Sequence, residues 1–154
     1  MTRFYGFAPL FDGNSRVLVL GSFPSVKSRQ TEFYYGNAQN RFWKTLCEAF
    51  DEPLVTTVLA KKQLCLKHGI ALWDIVQSCE IVGSMDADIT NYTLVDLSQI
   101  TNSCNVAKIL CNGATAYKLV TSVYNGQLPV YKLSSTSSAN PRFDKDEWIR
   151  HLTS

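Results

Sequence analysis

The chain predicts an α/β fold of three layers, α/β/α, built on a short, mainly parallel four-stranded sheet. Three observations carry this reading. Arg16–Gly21 and Gly69–Asp74 enclose the continuous apolar stretches VLVL and IALW, and Val106–Cys111 is apolar apart from Lys108, the pattern of strands buried on both faces rather than one. Segments of helical periodicity lie between them. Strands alternating with helices specify a parallel sheet with helical cover on both sides. At 154 residues, 45% of them hydrophobic and 18% charged, the chain can bury one full core, so residues 1–154 are read as one domain.

The first strand, 16–21, ends in glycine and runs into a loop from Ser22 to Gly36. Residues 38–50 read as a helix with Phe42, Trp43, Leu46, Cys47 and Phe50 on one stripe, and 56–68 as a second, stopped by His68-Gly69. The next strand, 69–74, precedes a polar loop, Ser78 to Thr90, and a short helix over 93–102. A third strand, 106–111, turns at Asn112-Gly113 into a helix over 114–124. Pro129–Leu133 is the fourth strand, leading into SSTSSANP, and 144–152 is a last helix anchored by Trp148. In such sheets ligands bind beyond the carboxyl ends of the strands. The loops GSFPS, WDIVQS, CNG and SSTSSAN should therefore meet on one rim.

Composition narrows the chemistry. A net charge of +2 is too small to announce a nucleic-acid partner, so any such grip must be local. Five cysteines without a CxxC pair argue against a disulfide framework, a zinc knuckle or an iron–sulfur cluster, and for buried thiols in a reducing, cytoplasmic compartment. The N-terminus has no signal-peptide pattern and no apolar run spans a membrane. Neither His68 nor His151 is placed for a nucleophile–base pair. No carboxylate pair is expected in the rim loops: Asp74 ends a strand with capping as its task, and Asp86 and Asp88 belong to a surface loop.

Amides, hydroxyls and aromatic rings remain. Asn37 suits the N-cap of the 38–50 helix, which leaves Asn40 in the first turn on the face of Trp43 and Cys47. A polar amide there must find partners or cost about 1–3 kcal/mol. It either ties the loop to the sheet or faces a substrate or a water. Gly21, Ser22, Phe23, Pro24 and Ser25 form a small-residue loop whose backbone can approach a ligand closely, or an ordinary turn. Ser135, Thr136 and Ser137 give a density of hydroxyls that suits phosphate oxygens without cationic charge, or a solvated loop.

GSFPS, FYYGNAQNRFW, GIALWDIVQSC, VGSMDADI, CNGATA and LSSTSSANP stand in the order and spacing of the hypoxanthine-DNA glycosylases, a branch of the uracil-DNA glycosylase superfamily. The chain resembles that branch from about Gly6 to Trp148. The resemblance implies the fold argued above and the excision of a deaminated base, chiefly hypoxanthine, from DNA by hydrolysis of its N-glycosidic bond. It implies no metal, no cofactor and no covalent lysine intermediate, with damaged DNA as the partner of a monomer.

It also matches Asn40 to the amide that positions the attacking water, with Asn37 as competitor. Phe23 stands where other branches carry an acidic or amide residue. Ser135-Thr136-Ser137 replaces a histidine-bearing motif, which leaves stabilisation of the departing base to backbone amides, hydroxyls or Asn112. Phe23, Tyr34 and Tyr35 are the expected stacking faces for a flipped base. Ala38 and Ser138 stand where proline is frequent. A uracil-preferring glycosylase and a catalytically silent DNA-binding module are the alternatives.

Overall fold

The computed structural model describes residues 2–154. Its elements begin with β1 (Arg3–Tyr5), β2 (Val17–Gly21), α1 (Val26–Thr31), α2 (Phe42–Ala49), α3 (Val58–Lys67), β3 (Ile70–Asp74) and β4 (Val76–Glu80). After a 3-10 turn at Asp86–Asp88 come β5 (Thr90–Leu94), α4 (Ser98–Thr101), β6 (Lys108–Asn112), α5 (Ala114–Val123), β7 (Val130–Leu133) and α6 (Lys145–Thr153).

The central sheet is four-stranded and parallel throughout, in the order β3-β2-β6-β7. All five residues of β2 and of β3 are buried, so both faces of the sheet must be covered, as their unbroken apolar pattern required. Helix α3 packs on β3, α5 packs on β6 and β7, and α2 packs on α6. Fully burying each large apolar side chain of this core contributes about 1.5–3 kcal/mol. Trp148 of α6 is completely buried and its indole Nε1 donates to the Ser134 carbonyl at 2.7 Å, so the last helix fixes the start of the hydroxyl loop.

Two parts of the sequence reading are corrected here. The polar loop expected over Ser78 to Thr90 is confined to residues 81–89, because β4 pairs antiparallel with both β1 and β5 in a second, three-stranded sheet. Its polarity hid this: Ser78 is buried, yet its hydroxyl is satisfied by Arg3 Nε at 3.1 Å and Thr93 Oγ1 at 2.7 Å. The helix expected over 93–102 shrinks to Ser98–Thr101 because Thr90–Leu94 is strand. The other correction concerns the helix expected from residue 38, which begins at Phe42.

Helix α1 had no apolar stripe to announce it. Ser25 caps it, accepting from Ser28 N at 3.1 Å. No helix among the described residues is long and apolar enough to cross a membrane.

Candidate active site

The parallel register brings Gly21 beside Asp74 and Asn112 beside Leu133 at one edge of the sheet. Beyond that edge lies a cleft of about 400 Å³, within the size range of small-molecule pockets. Three of the four loops expected on the rim meet there. GSFPS contributes Gly21 to Ser25, the β6 end contributes Asn112, and the hydroxyl loop contributes Ser135 to Asn140. Of WDIVQS only Asp74 reaches the cleft, because the rest has become β4.

Asn37 and Asn40 both line the cleft, and neither is the N-cap of α2, a position held by Arg41 without a side-chain bond. Asn37 Oδ1 accepts from Gln39 N at 2.9 Å, which closes a turn ahead of the helix. Asn40 Oδ1 accepts from Phe42 N, also at 2.9 Å, at the first residue of α2. Asn40 is therefore not on the buried stripe with Trp43 and Cys47. This bond to the backbone two residues on fixes the rotamer while leaving one lone pair of Oδ1 and the Nδ2 donors for a ligand or a water.

The aromatic residues divide into supports and surfaces. Tyr34 is 2% exposed, its hydroxyl donates to the Ala8 carbonyl at 2.8 Å, and its ring packs edge-on to Phe7 and Phe33. Trp43 Nε1 donates to the Tyr34 carbonyl at 3.0 Å, tying the FYYG segment to α2. Tyr35 has a left-handed backbone, φ 52°, and its ring lies on Phe42 with centroids 4.4 Å apart. A non-glycine residue in that region costs about 1–3 kcal/mol and is characteristic of functional segments. The Tyr35 hydroxyl is buried with the Asn112 side chain close by, yet no group stands in hydrogen-bonding geometry to it. Phe23 also lines the cleft, with the Arg29 guanidinium 5.9 Å from its ring centroid.

Asn112 and Thr136 are locked together. Asn112 Nδ2 donates to Thr136 Oγ1 at 2.9 Å and Asn112 Oδ1 accepts from Thr136 N at 3.0 Å. Thr136 is 1% exposed, so its hydroxyl faces Asn112 and not the phosphate oxygens expected of it. Ser135 Oγ accepts from Ser137 N, and Ser137 Oγ accepts from Ala139 N, both at 3.2 Å, which leaves each hydroxyl hydrogen to donate outward. Arg41, the lone charge in FYYGNAQNRFW, holds this loop from behind. Its guanidinium donates to the carbonyls of Ser137 and Asn140, and it stacks 4.5 Å from the Phe143 ring centroid. Arg41→Ala is expected to lower stability by about 2–3 kcal/mol, the scale for charge-assisted bonds, in urea denaturation.

The expectation that no carboxylates would meet at the rim is overturned. Asp74 and Asp86 both line the cleft. Asp86 accepts from Ser22 Oγ at 2.6 Å, which pins the 3-10 turn to the first loop. Asp74 caps nothing: it is 4% exposed and its Oδ2 has no partner. Burial, and secondarily the charge of Asp86, push its pKa up to about 7. Sequence spacing concealed the pair, since twelve residues and a strand separate two groups that the second sheet folds onto one wall. His68 lies elsewhere, paired with Glu52 at 2.8 Å and stacked on Phe50, and His151 packs against Tyr131. No cluster among the described residues has three or more side chains placed to hold a metal ion.

Fold and cleft together define an α/β protein with a cleft of mixed polar and apolar lining beyond the carboxyl ends of a parallel sheet. The chain belongs to the uracil DNA glycosylase superfamily, whose family description matches residues 8–153. It is 34% identical over 148 residues to a hypoxanthine DNA glycosylase of Methanosarcina acetivorans, covering 93% of this chain and 94% of that protein. A hypoxanthine DNA glycosylase of Methanosarcina barkeri is 31% identical over 110 residues, 70% of each chain. The solution NMR structure of a candidate uracil DNA glycosylase from Methanosarcina acetivorans superposes with a TM-score of 0.86 at 29% identity, covering 99% of this chain and 98% of that one.

Proposed function

We propose that this protein is a DNA glycosylase that excises hypoxanthine from deoxyinosine, leaving an abasic site, and that residues 1–154 act as a single domain and a monomer. The observation that carries the reading is the meeting of Asn40, Asn112 and Tyr35 in one cleft at the sheet edge. A base within a duplex is inaccessible, so the nucleotide must be extruded into such a cleft. Phe23 and Tyr35 supply ring surfaces for it, and Asn112, held by Thr136, presents a rigid amide. Asn40, oriented by its bond to Phe42 N, is the proposed holder of the water that attacks C1′. The transition state resembles an oxocarbenium ion with charge growing on the departing base, and fixed neutral dipoles in a dry site stabilise that charge. Ser135 and Ser137, on the outer turn of the loop held by Arg41, are the proposed contacts to DNA phosphates. Five free thiols suit an intracellular, cytoplasmic setting.

The assay is single-turnover excision, enzyme in excess, from matched oligonucleotides bearing one inosine or one uracil. Inosine is expected to be the better substrate, because a cleft that fits a purine holds uracil loosely and loses alignment. Mispaired or single-stranded lesions should react faster, since extrusion then costs less. A uracil rate at or above the inosine rate would overturn the preference and leave a glycosylase. No excision of either base would overturn the enzyme reading.

A further inference from the structure

We propose that Asp74 is a further catalytic residue of this site, its carboxyl contacting the extruded base beside the Tyr35 hydroxyl and donating a hydrogen bond to it as the glycosidic bond breaks. The inference rests on the proposed glycosylase reading. Two buried polar atoms of the cleft lining motivate it. Buried polar atoms in folded proteins are almost always hydrogen-bonded, yet Asp74 Oδ2 and Tyr35 Oη are both buried and both lack a partner. The two groups converge. A Cβ built on Gly21 would lie 2.4 Å from Asp74 Oδ1 and 3.2 Å from Tyr35 Oη, so the glycine leaves room for both at one spot on the cleft floor. Each orphaned atom costs about 1–3 kcal/mol. A ligand with a complementary polar edge would satisfy both.

The protonation state decides what Asp74 can do. No cation faces the carboxyl: the titratable groups acting on it or feeling it are Asp86 from the 3-10 turn and Tyr34 and Tyr35 from the segment before α2. Burial foremost, then Asp86, raises its pKa to about 7. Below that pH the group is a neutral acid, with an O–H donor beside a C=O acceptor, which suits the N–H and C=O edge of a 6-oxopurine. When the C1′–N bond breaks, its electron pair passes to the base. The Asp74 O–H is shared with that base but stays on the carboxyl. The proton lost by the attacking water balances the one the freed base takes up. An ionised Asp74 would repel the same departing base. Excision should therefore be complete below pH 7 and decline as pH rises through it, about tenfold per unit once the carboxyl is mostly ionised.

The experiment has two arms. In the first, single-turnover excision of inosine is followed from pH 5.5 to 9 for the wild type, Asp74→Asn and Asp74→Ala. Asp74→Asn keeps a neutral donor and should stay within about tenfold of the wild type at pH 6 while losing the alkaline decline. Asp74→Ala should lose about 10²-fold at pH 6. If Asp74→Ala does not fold, Asp74→Asn decides. A folded Asp74→Asn that keeps the wild-type decline, or is as slow as the alanine variant, overturns the proposal. So does an alanine variant of wild-type rate. In the second arm, binding of free hypoxanthine is measured by NMR titration at pH 6 and 8.5. Binding that weakens at the higher pH in the wild type but not in Asp74→Asn supports the contact even if no excision is seen, in which case only the glycosylase reading falls. Binding that ignores both pH and the substitution overturns the contact.

Discussion

Asn40→Ala is expected to slow excision by at least about 10²-fold with the fold retained, the scale for losing a positioned catalytic group. The substitution removes two things at once. It deletes the acceptor of the Phe42 N bond at the start of α2, a hydrogen bond worth about 0.5–1.5 kcal/mol. It also deletes the side-chain amide that faces the cleft. Only the second loss should reach the chemistry, because α2 stays held by Phe42, Trp43 and Leu46, all buried. Thermal melting reads the first loss and single-turnover excision the second, so they can be measured apart. Asn37→Ala is the matched comparison. Asn37 lines the same cleft and its Oδ1 closes the preceding turn through Gln39 N. It should cost far less than Asn40→Ala in rate. The reverse ranking would move the water-holding amide to Asn37.

The parallel sheet was legible in the sequence because unbroken apolar runs leave few alternatives to strands buried on both faces, and β2 and β3 match their forecast runs closely. The rim followed from topology: Gly21, Asn112 and Ser135 had to meet if the strands were parallel, and they do. What escaped is physically coherent. The second sheet is built from polar strands whose hydroxyls pair across it, as Ser78 does with Thr93, and hydrophobic periodicity is blind to such bonds. Helix α1 is six residues long with only Ser28 buried, so it had no stripe to read. Assigning Asn37 as cap and Asn40 as first-turn residue failed because side-chain capping bonds depend on where helical dihedrals begin, which spacing fixes only within a few residues. Asp74 was misjudged most instructively. A carboxylate at a strand end usually caps or meets solvent, and only the three-dimensional closeness of Gly21, Tyr35 and Asp86 reveals one that does neither.

Gly21→Ala should be the most damaging single methyl group in the protein for excision, a loss of about 10²-fold or more for a small change in stability. The backbone of β2 at Gly21 is ordinary strand, so alanine meets no conformational barrier there. The obstacle is steric. The new Cβ would stand 2.4 Å from Asp74 Oδ1 and 3.2 Å from Tyr35 Oη, so both side chains must move from their places in the cleft lining. Asp74 must rotate, and Tyr35, already held at a positive φ, must shift with it. Displacing a site by about 1 Å can cost about 10²-fold in rate, whereas overpacking of this kind typically costs about 1–3 kcal/mol in stability. Gly13→Ala serves as the control, because a Cβ there meets nothing within 4 Å. Single-turnover excision of inosine and urea denaturation, run on Gly21→Ala, Gly13→Ala and the wild type, separate the two effects. Wild-type excision by a folded Gly21→Ala would mean that the base does not reach the floor formed by Asp74 and Tyr35.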